Sequence, residues 1–182
     1  MASIRILQYP DPLLERKGIP VEDVKEAHIQ TIIADMFETL YTSKNCAALA
    51  ACQLDIPNAP HITVIDISEN KDQPLCLVNA QIIVKEGETN TPEGCMSVPF
   101  IYEKAKRASE IQVKALDQHG KVLDFHADGF LAKCIQHELD HLDGKLFIDQ
   151  LSKLKRSRVE KRIQKGQRYQ SIADARRSQL ED

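Results

Sequence analysis

"QHELDHLDG", residues 136–144, sets His137 and His141 four residues apart, with Glu138 beside the first. On a helix that spacing puts both imidazoles on one face, one turn apart. Two histidines so placed, with a neighbouring Glu, are the pattern of a metal site that carries its own base. The flanking residues predict the helix itself. "ADG" (127–129) opens it and Gly144 can end it. Phe130, Cys134, His137 and His141 share one side, and Leu131, Ala132, Ile135, Leu139 and Leu142 continue the apolar arc. Lys133, Gln136 and Asp140 form the wet face. Glu138 falls within the apolar arc, where an unpaired carboxylate is costly without a partner or a purpose. A water held by a metal would supply both.

Two histidines need a third protein ligand. The peptidase pattern with a third His after Gly fails, because position 147 is Phe. A Glu about twenty residues downstream is a second pattern. Glu160 has that spacing but lies in the basic, solvated stretch "KRSRVEKRI". The better candidate is upstream, in "PEGCMSVP" (92–99), where Cys95 follows a glycine that permits close backbone approach. Its thiolate suits Fe(II), Zn(II), Co(II) or Ni(II).

Outward from this centre, a helix is predicted from Asp23 to about Tyr41, with a stripe of Val24, Ile32, Met36, Phe37 and Leu40. Residues 61–67, 75–84 and 110–116 read as strands, rich in β-branched side chains. "DQHGK" (117–121) reads as a hairpin turn into a strand over 121–127. A last helix is expected from near Leu151. The order predicts an α+β fold, with antiparallel sheets packed around the central His-Glu-x-x-His helix, an N-terminal helix and a basic C-terminal helix. Residues 1–150 are expected to form the catalytic part, and the basic helix and tail over 151–182 to belong to the same domain.

Composition narrows the class. With 42% hydrophobic and 28% charged residues in 182, the chain reads as soluble and globular. No apolar run is long enough to cross a membrane, and "MASIRILQYPDPLLERKG" is not a signal peptide. Five cysteines match no disulfide framework, so a reducing cytoplasm is expected, with Cys46 and Cys52 as small packing residues. Net charge is −3, but the tail from Leu151 has ten basic and four acidic residues, leaving −9 on the rest. That balance argues against sequence-specific nucleic-acid binding by the body. A monomer is expected, since no strong exposed apolar stripe stands out.

Three segments, in order, resemble the peptide deformylases. "NCAALAACQLDIP" (45–57) is similar to a G-x-G-x-A-A-x-Q pattern, "EGCMS" (93–97) to E-G-C-x-S, and "QHELDHLDG" (136–144) to Q-H-E-x-D-H-L-x-G. The resemblance implies removal of the N-formyl group from the formyl-methionine of newly made proteins. It implies Cys95, His137 and His141 as ligands of one divalent metal, Fe(II) by preference, with Zn, Ni or Co as substitutes. It implies Glu138 as the base, and the Met96 N–H and the Gln53 amide as donors to the oxyanion. Ala47, Ala48 and Gly94 would bind the peptide main chain, and Phe130, Cys134 and His137 would wall the methionine pocket. The basic C-terminal helix resembles one by which some members contact the ribosome. The two glycines of the first pattern are Cys46 and Ala48 here, where a Cβ bears on peptide approach. Two alternatives follow: a metal-binding module without useful turnover, and a metallopeptidase. Lys133 also stands where relatives often have an apolar residue.

Overall fold

The computed structural model describes residues 2–178, with side chains described as far as Gly166. Helix α1 spans Ala27–Thr42 and buries Ile29, Ile33, Met36, Thr39 and Leu40, a stripe of helical period. Ile32 and Phe37 of the expected stripe pack partly buried against that core. The helix starts later than Asp23. The Asp23 carboxylate accepts from the Lys25 N–H at 2.8 Å, and its carbonyl from the Glu26 N–H, so it closes a turn ahead of the helix.

The strands are β1 (Ala48–Ala50), β2 (Ile62–Ile65), β3 (Leu75–Glu86), β4 (Thr89–Cys95), β5 (Val98–Arg107), β6 (Glu110–Leu116) and β7 (Val122–Asp128). They form an antiparallel five-stranded sheet in the order β1-β2-β3-β6-β7 and a separate two-stranded hairpin of β4 and β5. The expected turn at 117–121 is present, with Gly120 at φ +80° and the Asp117 N–H bonded to the Lys121 carbonyl. β4 is not apparent from propensity, unlike β5, which opens with Val98, Phe100, Ile101 and Tyr102. "TNTPEGC" is polar, with Pro and Gly, and it becomes a strand because it pairs with β5 from Thr89↔Arg107 to Gly94↔Tyr102.

Helix α2, Gly129–Leu142, joins the layers. Ala132 and Ile135 enter the cluster under the sheet with Leu77, Ile111 and Val113, and Leu142 enters the cluster built around α1. Gln136 departs from the expected wet face. It is 5% exposed, its Oε1 accepts from the Ala108 N–H and its Nε2 donates to the Ala108 carbonyl, both at 2.9 Å. The link between β5 and β6 covers that side of the helix. Asp140 keeps partial exposure, paired with Arg107.

Helix α3 spans Lys153–Ser178. Val159 and Ile163 complete a third cluster with Val98, Ile101, Leu146 and Phe147. Leu154 is 64% exposed, because Val159 and Ile163 define the inward face. The side chain of Arg168 and residues 179–182 of the expected basic tail lie outside the described residues. Among the described residues no helix is long and apolar enough to cross a membrane.

Helix α2 ends as expected at Gly144. The Gly144 N–H bonds to the His141 carbonyl at 3.0 Å and the Lys145 N–H to the Asp140 carbonyl at 2.8 Å, a Schellman arrangement. Gly144 has φ +74°, and a Cβ there would meet the Glu15 carbonyl oxygen. Gly144→Ala is therefore expected to lower stability by about 2 kcal/mol or more. Urea unfolding checks this, and an unchanged midpoint would contradict the account of the helix end.

Candidate metal centre

The sequence places two elements opposite each other here. On α2, four-residue spacing stacks His137 and His141. On β4, two-residue spacing puts Glu93 and Cys95 on one face and Gly94 on the other. Gly94 lies under Tyr102, whose ring leaves no room for a Cβ. The register shifts between Gly94 and Cys95, so that Cys95 pairs with Val98. Such an irregularity re-aims a side chain at the end of a strand.

The Cys95 Sγ lies 3.2 Å from His141 Nε2, and His141 Nε2 lies 3.2 Å from His137 Nε2. All three ligand atoms are within 4.8 Å of one another, the geometry of a group that could hold one metal ion. The donor set of one thiolate and two imidazoles fits a borderline cation of the Fe, Zn, Co or Ni kind. The surroundings fit as well. His137 Nδ1 is 3.0 Å from a Glu93 carboxylate oxygen, which fixes the ring and leaves Nε2 for coordination. The Ser97 N–H and the Gln53 Nε2 each approach Cys95 Sγ at 3.4 Å and orient it.

Glu93 is itself held. Arg107 donates to its two oxygens at 2.8 and 2.9 Å, and also to Asp140. Burial would raise the Glu93 carboxyl, but its bonds to Arg107 and His137 more than offset that and hold it near 2. Glu138 has the opposite setting. It is 3% exposed and its Oε2 has no hydrogen-bond partner. Burial pushes it up to about 7, opposed only in part by His137 and Arg107.

Gln53 is buried, and its Oε1 accepts from the Ala50 N–H at 2.8 Å. That bond settles which end is which, so the amide N–H groups face Cys95 and Ser97. A cleft of about 530 Å³ opens beside the cluster. Ala47, Ala48, Gln53, Gly94, Met96, Phe130, Cys134 and Glu138 all line it with Cys95 and His137, while His141 lies buried behind them. Every expected site residue is thus brought to one place. Phe130 stands 56% exposed at the rim. Burial pushes the Cys46 and Cys134 thiols up to about 12, which leaves both as unreactive packing groups. Glu160 is engaged elsewhere, accepting from Tyr9 Oη at 3.2 Å and Arg156 Nε at 3.1 Å.

Sequence reasoning missed Glu93, Arg107 and Ser97. Glu93 stands two residues before Cys95, a signal that becomes readable only once the segment is known to be a strand. Arg107 lies at the far end of β5, and no local pattern connects it to Glu93.

Comparison with known proteins agrees with the geometry. A sequence model of the family described as polypeptide deformylase matches residues 3–157. Peptide deformylase 1 of Coxiella burnetii is 58% identical over 169 residues, 92% of this chain and 99% of the relative. The peptide deformylase of Nitrosococcus oceani is 48% identical over 168 residues, covering 92% and 98%. Among solved structures, a peptide deformylase from Legionella pneumophila superposes with a TM-score of 0.87 at 41% identity, over 93% of this chain and 98% of that one. One from Ehrlichia chaffeensis in complex with actinonin gives 0.84 at 32% identity, over 92% and 99%.

Glu93→Gln keeps the shape but removes the charge that holds His137. Metal affinity, measured by chelator competition, is expected to fall about 10- to 100-fold. An unchanged affinity would separate Glu93 from the centre.

Proposed function

The chain belongs to the polypeptide deformylase family, and we infer from that membership and from the cleft that it hydrolyses the N-formyl group of N-formylmethionine at the start of newly made proteins, releasing formate. The observation that carries the chemistry is the buried Glu138 carboxylate, with one oxygen unpartnered beside the Cys95–His137–His141 cluster.

Cys95, His137 and His141 would hold one divalent ion, Fe(II) by family resemblance, with Zn, Ni or Co compatible with the same donors. When bound, that ion acidifies a water and polarises the formyl carbonyl. Glu138 Oε2 takes the proton of the attacking water and returns it to the departing amine. A carboxyl near 7 can do both at neutral pH. Gln53 Nε2 and the Met96 N–H donate to the oxygen on which charge develops, a contribution of roughly 2.7–4 kcal/mol for each such donor. Because Ala50 holds the Gln53 oxygen, the amide nitrogen stays turned toward the centre.

The formylated peptide lies extended. β1 is an edge strand of the sheet, and Ala47 and Ala48 line the cleft, so the peptide backbone pairs with Ala47, Ala48 and Gly94. Main-chain pairing accepts many sequences. The methionine side chain enters between Phe130, Cys134 and His137. Cys46 is buried and turns its thiol to the Ala48 carbonyl at 3.4 Å, while the cleft persists beside it. That supports turnover over a binding module without it.

The catalytic unit of residues 1–150 and the tail from 151 form one domain, a reading supported by Val159 and Ile163 in the third cluster. The enzyme works as a cytoplasmic monomer. The exposed Lys153, Arg158 and Lys161 of α3 give a basic face for weak, salt-sensitive contact with the ribosome, where formylated chains emerge. Changing these three to Gln, which leaves Val159 and Ile163 in place, is expected to abolish co-sedimentation with ribosomes at low salt. Undiminished sedimentation would remove the docking role.

Glu138→Gln tests the reaction. It should retain metal, since Glu138 is not a ligand, and lose about 10²- to 10⁴-fold in formate release from formyl-Met peptides. Parental turnover at full metal content would exclude Glu138 as the base.

A further inference from the structure

The cleft walls carry an uneven charge. The carboxylates that line it, Glu93 and Glu138, are each 3% exposed, and Glu93 is neutralised by Arg107. The accessible charges on the same walls are Lys44 and Lys133, both positive. Lys133 is held in place. Its Nζ donates to Thr91 Oγ1 at 3.1 Å and to the Pro92 carbonyl, spanning from α2 to β4. Both acceptors are neutral, so two of the three ammonium N–H groups are fixed while the charge stays uncancelled. Lys44 is exposed and has no ion pair among the described residues.

The cleft also continues. A second depression of about 160 Å³ shares Gln8, Pro99, Phe100 and Ile101 with it and is closed by Arg162, Ile163 and Gly166 of α3. Arg162 is exposed, and among the described residues no acidic one lines that depression. An extended peptide advances about 3.3 Å per residue, and among the described residues the only accessible charges lining the cleft and its continuation are these cations. This positive path is local, because residues 1–150 as a whole carry −9.

We propose that the cleft selects formylated chains with an acidic side chain soon after the methionine, with Lys133 and Lys44 as specificity-determining residues and Arg162 extending the preference farther along the peptide. The inference rests on the deformylase reading and deepens it. Main-chain pairing ignores sequence, and the lysines add a charge term to it. Lys133 is suited to this because its bonds to Thr91 and Pro92 have already ordered the side chain, so little entropy is lost on meeting a carboxylate.

The test compares kcat/KM for formyl-Met-Xaa-Ala-Ser and formyl-Met-Ala-Xaa-Ser, with Xaa as Glu, Gln or Lys, on metal-loaded full-length protein. At low salt the Glu peptides are expected to exceed the Lys peptides by about two- to fivefold at the favoured position, the size of an exposed charge pair. The ratio should shrink toward one at about 0.5 M salt. Lys133→Met and Lys44→Gln each move the ratio toward one, and Lys133→Glu inverts it. Arg162→Gln reduces only the preference for acids in longer peptides. A parental ratio within experimental error of one overturns the proposal. So does a Lys133→Met enzyme that loses the same factor on all three peptides, since that is the signature of a lysine that only ties α2 to β4. If the Gln peptide releases no formate, the deformylase reading itself fails. Calorimetric affinities for the same three peptides then decide the charge selection independently of turnover.

Discussion

The buried pair of Arg107 and Glu93 is the constraint on which the site depends. Two prospective ligands stand on α2 and the third on β4, and no covalent link or shared sheet joins these elements. Arg107 at the end of β5 grips both oxygens of Glu93 on β4 and reaches Asp140 on α2, while Glu93 holds His137. One guanidinium thereby sets the hairpin against the helix. Gln136, bonded to both backbone groups of Ala108, repeats the connection one turn away. A buried ion pair is a poor source of net stability, since desolvation consumes most of the attraction. Its return here is geometric, because the planar fork of arginine allows few alternative positions.

Within a few ångströms the site holds two glutamates in opposite states. Glu93 is bonded by the Arg107 guanidinium and the His137 ring and stays ionised down to about 2. Glu138 meets an apolar wall and rises to about 7. The same functional group thus serves once as a fixed anion that orients a ring and once as a group able to gain and lose a proton. The environment, not the residue type, divides the labour.

Much of the centre is legible in the sequence, for identifiable reasons. The α2 helix shows a clear period, both ends are marked by Gly129 and Gly144, and a carboxylate on an apolar arc signals a purpose. Cys95 is legible from its motif. The hairpin is not, because β4 is built from Thr, Asn, Pro and Gly and owes its form to its partner strand. Losing β4 from view loses Glu93 with it, since only the alternation of a strand puts Glu93 on the face of Cys95. Gln136 misleads for a related reason. A helical wheel sorts residues by polarity, and a glutamine that satisfies a buried backbone amide and carbonyl at once is polar and internal. The start of α1 shifts because Asp23 can cap a turn as readily as a helix.

The third core cluster has a consequence for the order of events during synthesis. Val98, Ile101, Leu146 and Phe147 share that cluster with Val159 and Ile163 of α3. β5 carries Val98 and Ile101 and also presents Arg107 to Glu93. A chain elongated only as far as α2 already contains Cys95, His137, His141 and Glu138, but not the α3 residues that pack with β5. The core around the strand that presents Arg107 is therefore completed by residues made after every member of the candidate centre.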